Sequence, residues 1–160
     1  MKISVVGLGF VGLSLTSVLA ARGNDILGID VDKNKCENIQ KGISPFFEPE
    51  LEKLLKIGLR KKLKISTDIS LMKNSDIIFV AVGTPQRSNG SIELSMIKNA
   101  VKSIGKVVKN DTRNPIIFIK STVTPGTMQK IVLPLLEKES GKKAGKDFLP
   151  DSFSNSGKTI

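Results

Sequence analysis

The sequence predicts an α/β fold: a doubly wound, mostly parallel sheet in a single domain. Three observations carry that expectation. Apolar runs of strand length alternate with stretches whose apolar residues recur every three or four positions. The run at residues 76–82, DIIFVAV, is apolar almost throughout, as suits a central parallel strand covered on both faces. Gly7, Gly9 and Gly12 fall in G-x-G-x-x-G spacing between an apolar β-branched run (Ile3, Val5, Val6) and a helical stripe of Val11, Leu15, Val18 and Leu19.

The remaining elements follow in order. Residues 25–30, DILGID, read as the second strand, and residues 32–40 as a short helix capped by Asp32. Cys36 and Ile39 share one face of that helix, which makes Cys36 a small core residue. In GISPFFEPELEKLL, Pro45 and Pro49 mark a loop, with Pro49 suited to the first turn of a helix whose buried stripe is Leu51, Leu54 and Leu55. Residues 63–66 form a short third strand, followed by a turn at Thr67 and Asp68. The fourth strand, residues 76–82, ends in Gly83-Thr84-Pro85 and a polar loop to Gly90. Ser91 is placed to cap a long helix over residues 92–109, with Ile97, Ala100, Val101, Ile104, Val107 and Val108 on its apolar face. Residues 116–120 are the fifth strand. After it Thr124 can cap and Pro125 can start a helix carrying Met128, Ile131, Val132, Leu135 and Leu136, kinked at Pro134. The expected domain spans residues 1–147, and residues 148–160 lack a clear period and read as an irregular tail.

Composition narrows the classes. The 160 residues carry 25 Lys and Arg against 15 Asp and Glu, a formal charge of +10, so anionic partners are favoured. With no Tyr or Trp and the basic residues spread over helix faces, the expected anion is a nucleotide rather than a nucleic acid. The absence of His removes any imidazole base. No apolar run reaches the roughly 18 residues of a membrane helix, and the glycines interrupt what could otherwise resemble a signal peptide. With Cys36 the single cysteine, the expectation is a cytoplasmic protein without membrane association. No metal-ligand cluster stands out.

The glycine spacing has a physical reading. Gly7 permits the sharp turn out of the strand, Gly9 lets a pyrophosphate approach the backbone, and Gly12 lets the helix pack closely on the sheet, a Rossmann-like dinucleotide cradle. Free N–H groups and the positive helix end then face the phosphates. Asp30 lies 18 positions after Gly12, near the spacing at which such folds set an acid against the adenosine ribose. A carboxylate there accepts from both ribose hydroxyls and repels a 2′-phosphate, which argues for NAD over NADP. Lys33 and Lys35 weaken that argument a little. With Asp32 taking the cap, Asp30 is left free for a ligand. In a doubly wound sheet the glycine loop, Asp30, Gly83-Thr84-Pro85 and Ser121-Thr122 all fall at strand C-termini, along one edge. Thr84 and Thr122 can present hydroxyls and N–H groups to the nicotinamide end.

Those segments carry a resemblance. GLGFVG, Asp30 with Lys35, PFFEPELEKLL, VAVGTP and KSTVTPGT look like the N-terminal half of the UDP-glucose/GDP-mannose dehydrogenase family, from Met1 to about Asp147. The resemblance implies an NAD-dependent oxidation of a nucleotide-sugar alcohol to a carboxylate in two steps, of the UDP-glucose 6-dehydrogenase type, in polysaccharide precursor synthesis. It implies NAD contacts at Gly7, Gly9, Phe10, Val11, Gly12, Asp30, Lys35, Gly83, Thr84, Pro85, Ser121 and Thr122, with Thr122 also beside the reacting sugar carbon as the catalytic candidate. The family's dimer helix and nucleotide-sugar domain have no counterpart here, so a homodimer is an assembly that the sequence allows and does not fix. Phe10 stands where the family usually has tyrosine, which loses a hydroxyl and keeps the ring. The family's acidic NPEFLREG-like segment and its catalytic cysteine, lysine, asparagine and aspartate have no counterpart here, where the sequence reads LPDSFSNSGKTI. The expectation is therefore an isolated cofactor domain that binds NAD weakly and does not complete the oxidation. Two other readings stay open: the cofactor domain of another NAD-dependent dehydrogenase, such as a β-hydroxyacid type, and a basic non-catalytic module for nucleotides or nucleic acid.

Overall fold

The computed structural model describes residues 1–88 and 90–152, the last two by backbone alone. Its strands are β1 (Lys2–Val6), β2 (Asp25–Ile29), β3 (Leu63–Ser66), β4 (Ile77–Val80), β5 (Ile116–Ile119) and β6 (Leu149–Ser152). Its α-helices are α1 (Phe10–Ala21), α2 (Lys33–Gln40), α3 (Leu51–Arg60), α4 (Ser95–Lys109) and α5 (Leu133–Ser140). The strands form one sheet in the order β3-β2-β1-β4-β5-β6, and every pairing is parallel. The order reverses at β1, between β2 and β4. That switch point opens a crevice at the strand C-termini.

Strand alternation divides the core into two layers. Val6, Leu27, Ile29, Ile78, Val80, Ile117 and Ile119 face α4 and α5. Ile3, Ile26, Leu63 and Ile65 face the other way, in one cluster with Leu13 and Ala20 of α1, Cys36 and Ile39 of α2, and Leu51 and Leu55 of α3. Phe79 and Phe118 stack on this second face, their ring centroids 5.1 Å apart.

Four local expectations are corrected. The stripe read on α1 is not its buried face. Gly12, Leu13, Thr16, Ser17 and Ala20 are buried there, while Val11 is half exposed. The helix must lie close to the glycine loop and to α3, so small residues take the inner face.

The long helix begins at Ser95 rather than near residue 92. Residues 86–87 and 91–92 instead run as the two arms of a short hairpin, with Gln86 and Ile92 as an antiparallel bridge. Ser91 therefore does not cap α4.

Regular helix after β5 also starts late. Thr127 N–H donates to the Thr124 carbonyl at 3.1 Å, and Met128–Val132 is a π-helical turn that precedes α5. Pro134 sits in the first turn of α5, where its missing N–H costs little. Pro49 likewise lies just ahead of α3, whose N-cap Glu50 is left-handed (φ 64°).

Finally, the segment expected to be irregular from residue 148 contains a sixth strand. Leu149–Ser152 pairs in parallel with β5, and Leu149 N–H reaches the Pro115 carbonyl at 3.2 Å. Pro150 is tolerated because β6 lies at the sheet edge. Residues 153–160 lie outside the described residues.

Candidate cofactor site

The site is assembled from strand ends that each run one residue past the sheet. Gly7 N–H donates to the Ile29 carbonyl, Ala81 N–H to Val6 and Lys120 N–H to Val80, all at 2.8 Å. These bonds hold the turns after β1, β4 and β5 in register, so the loops leave the sheet side by side.

The glycine loop is close-packed where it must be and open where a ligand would lie. Gly7 has φ +97°, a conformation that only glycine adopts readily. A Cβ on Gly12 would come 1.8 Å from the Gly7 carbonyl oxygen, so the helix reaches the turn only because residue 12 has no side chain. A Cβ on Gly9 would meet nothing within 4 Å. Gly9 is the N-cap of α1, with no side chain capping the helix and no acidic residue in the first turn. The N–H groups of Phe10, Val11 and Gly12 therefore have no intrahelical acceptor. Their donors and the positive end of the helix dipole fit a pyrophosphate.

Asp30 is 8% exposed and fixes the adjoining corner. Its Oδ2 accepts from Leu8 N–H at 2.8 Å and from Lys35 Nζ at 2.9 Å, and its Oδ1 accepts from Asp32 N–H at 3.0 Å. The expectation that Asp30 stands free for a ligand is corrected: it braces the glycine loop through Leu8, whose side chain is fully buried. About four acceptor positions on a carboxylate leave one for a ribose hydroxyl, and the Lys35 ammonium keeps further donors beside it. Burial raises the Asp30 pKa, but the hydrogen bonds from Lys35, Asp32 and Leu8 outweigh it, so the carboxyl titrates below its ordinary value. Lys33 points its charge elsewhere, 3.9 Å from Glu37. Asp32 caps α2 by accepting Lys35 N–H at 3.0 Å, as its sequence position predicts.

Across the switch point, Thr84 and Thr122 line a cleft of about 620 Å³ together with Gln86, Gly90, Ser91, Ile92 and Thr124. Beside the apolar Ile92 and the bare backbone of Gly90, its lining residues carry hydroxyls or an amide, with no charged side chain among them. Ser121 is buried and donates its hydroxyl to the Val82 carbonyl at 2.7 Å, which ties the two loops together. Gly83 and Pro85 flank Thr84 in the same loop. Phe10 projects from the glycine loop onto Phe46, ring centroids 5.1 Å apart, so the Phe46 loop meets the mouth of the cradle.

The predicted residues thus converge on one edge, but in two groups: Gly7 to Gly12 with Asp30 and Lys35, and Thr84 with Thr122. Leu8 and the 86–92 hairpin escaped sequence reading. An Asn-Gly pair at residues 89 and 90 is the signal that could have found the hairpin. Cys36 is buried, with its thiol pushed up by burial and facing the Asp30 carbonyl at 3.6 Å. Among the described residues no group of His, Cys, Asp and Glu could hold a metal ion, and no helix is long and apolar enough to cross a membrane.

Residues 1–151 match the model of the UDP-glucose/GDP-mannose dehydrogenase family, NAD binding domain. The chain belongs to that family. Its sequence is 43% identical over 150 residues to GDP-mannose 6-dehydrogenase of Pseudomonas putida, covering 92% of this chain and 34% of the relative. It is 31% identical over 145 residues to UDP-glucose 6-dehydrogenase AglM of Haloferax volcanii, covering 91% and 34%. The crystal structure of a ternary complex of GDP-mannose dehydrogenase from Pseudomonas aeruginosa superposes with a TM-score of 0.92 at 40% identity, covering 95% of this chain and 35% of that one. A UDP-glucose dehydrogenase from Pyrobaculum islandicum gives 0.87 at 31% identity, covering 94% and 35%. The chain therefore spans about a third of the length of the curated relatives it matches. The part it spans is the NAD-binding domain of nucleotide-sugar dehydrogenases, and its cofactor is NAD.

Proposed function

We propose that these 160 residues hold NAD for the two-step oxidation of a nucleotide-sugar alcohol to a carboxylate, and do not complete that oxidation by themselves. The carrying observation is the pairing of an uncapped helix N-terminus behind an open Gly9 with a buried, ionised Asp30 one strand away. In this reading the N–H groups of Phe10, Val11 and Gly12 bind the pyrophosphate. The last acceptor position of Asp30, with Lys35, takes the adenosine ribose. Gly83, Thr84, Pro85, Ser121 and Thr122 frame the nicotinamide end. When bound, NAD supplies the hydride acceptor. Thr122 orients the sugar carbon beside it, its hydroxyl exposed at the cleft. The family's thiol step needs a reactive thiolate at that point. Cys36 does not serve, because it is buried on α2 with a raised pKa. The same unpaired thiol suits a reducing, cytoplasmic setting. Homodimer formation and a place in polysaccharide precursor synthesis belong to the same reading by kinship. The substrate class is a UDP- or GDP-linked hexose, and the higher identity to GDP-mannose 6-dehydrogenases favours GDP-mannose for the first trial.

The test is a calorimetric titration with NAD, followed by incubation with NAD and either GDP-mannose or UDP-glucose while NADH is monitored. Saturable NAD binding without NADH formation is expected. Sustained NADH production by this chain would contradict the second half of the proposal, and an absence of NAD binding would contradict the first.

A further inference from the structure

Residues 85–87 and 91–93 are built as a clip. Glu93 N–H donates to the Pro85 carbonyl and Arg87 N–H to the Ser91 carbonyl, both at 2.8 Å, closing the hairpin bridged by Gln86 and Ile92. The Glu93 side chain then makes two attachments. Its Oε1 accepts Ser95 N–H at 2.9 Å, the first N–H of α4, where the N-cap position is held by Leu94 and no cap residue supplies a bond. Its Oε2 accepts from the Arg87 guanidinium. One carboxylate thus caps α4, sits at the favourable end of its dipole, and holds the first arm of the hairpin. The hairpin supplies Gln86, Gly90, Ser91 and Ile92 to the cleft, opposite Thr122 and Thr124 and next to Thr84. A surface ion pair of this kind contributes little to global stability. Its consequence is local: it sets where that wall stands.

We propose that Glu93 is a positioning residue for the nicotinamide half of the cofactor. Through Arg87 and the α4 N-terminus it fixes the hairpin that walls the Thr84–Thr122 cleft. This rests on the cofactor reading above, in which the adenosine half lies at Gly9 and Asp30 and does not touch the hairpin. Loosening the clip therefore weakens NAD and spares ADP, which occupies only the glycine loop and the Asp30 corner. A merely structural role would move both ligands together.

The experiment measures NAD and ADP affinities by calorimetry for the wild-type chain, Glu93→Gln and Arg87→Met. Arg87→Met leaves the Ser95 cap and the hairpin's backbone bonds intact and removes only the side-chain tie to Glu93, so it tests the idea even if Glu93→Gln folds poorly. In both variants NAD affinity is expected to fall about tenfold, as misplaced positioning groups do, with ADP affinity within about twofold of wild type. Unchanged NAD affinity in Arg87→Met, or equal losses for NAD and ADP, would overturn the proposal. If the wild-type chain binds neither ligand, the cofactor reading itself fails and takes this proposal with it. Wild-type binding of both separates that failure from one confined to the clip.

Discussion

Gly12→Ala is expected to destabilise the domain strongly, whereas Gly9→Ala leaves the fold intact and weakens only ligand binding. The two glycines are three residues apart, Gly9 as the N-cap of α1 and Gly12 in its first turn, and the geometry treats them in opposite ways. A methyl on residue 12 would lie 1.8 Å from the Gly7 carbonyl oxygen and 3.3 Å from the Ala81 Cβ. Backbone oxygen cannot yield as a flexible side chain would, so α1 must move off the sheet. Overpacking of this severity costs about 3 kcal/mol or more, which in a domain of this size lowers the melting temperature by about 6–12 °C. At Gly9, φ is −76° and a Cβ meets nothing, so Gly9→Ala changes stability by no more than about 0.5 kcal/mol. Its methyl, however, fills the space through which a pyrophosphate would reach the helix N–H groups, and NAD affinity drops at least about tenfold. Thermal unfolding followed by circular dichroism, alongside NAD titration, separates the two. Wild-type melting in Gly12→Ala would show that the close approach of α1 is not what the glycine provides.

Asp30→Asn is expected to lose both stability and cofactor. The carboxylate holds three donors at once, from Leu8, Asp32 and Lys35. An amide can keep its oxygen towards Leu8 and Lys35, but its NH₂ then faces the Asp32 N–H, and the charge that pairs Lys35 is gone. The cost is about 1–3 kcal/mol for charge-assisted bonds replaced by mismatched ones. A lost ribose contact of similar worth lowers NAD affinity by about 10- to 100-fold. The pH dependence follows from the depressed pKa of Asp30. A group whose folded pKa lies below its unfolded value stabilises fully above the unfolded value, about pH 4, and loses that contribution as pH falls through the folded one. The wild-type chain should therefore lose stability below about pH 4 more steeply than Asp30→Asn. Parallel acid-unfolding curves for the two proteins would rule this out.

Much of the fold was legible because local and global signals agree. The runs at β1, β2, β4 and β5 are apolar on both faces, and a parallel sheet needs that. The glycine spacing was readable because Gly7 and Gly12 answer steric demands that no other residue meets, while Gly9 leaves open space before the helix. Other features depend on contacts distant in sequence. LPDS shows no strand period of its own, and only its place beside β5 makes it β6. Ser91 looked like a cap because nothing local reveals that Glu93 reaches forward to Ser95 and back to Arg87. Asp30 stands out by its spacing, but the bond through which it braces the glycine loop reaches Leu8, 22 residues away. On α1 the larger apolar residues drew attention to the wrong face, since close packing there selects for small ones.

The central claim is that NAD lies across the C-terminal edge of the sheet, from the glycine loop to the Thr84–Thr122 cleft. Amide NMR shifts of the isotope-labelled chain titrated with NAD test it most directly. The expected result is saturable shifts at Gly9, Phe10, Val11 and Gly12, around Asp30 and Asp32, and at Thr84 and Thr122, with the lysine-bearing face of α4 (Lys98, Lys102, Lys106, Lys109) unmoved. Shifts confined to that face, with the glycine loop silent, would contradict it.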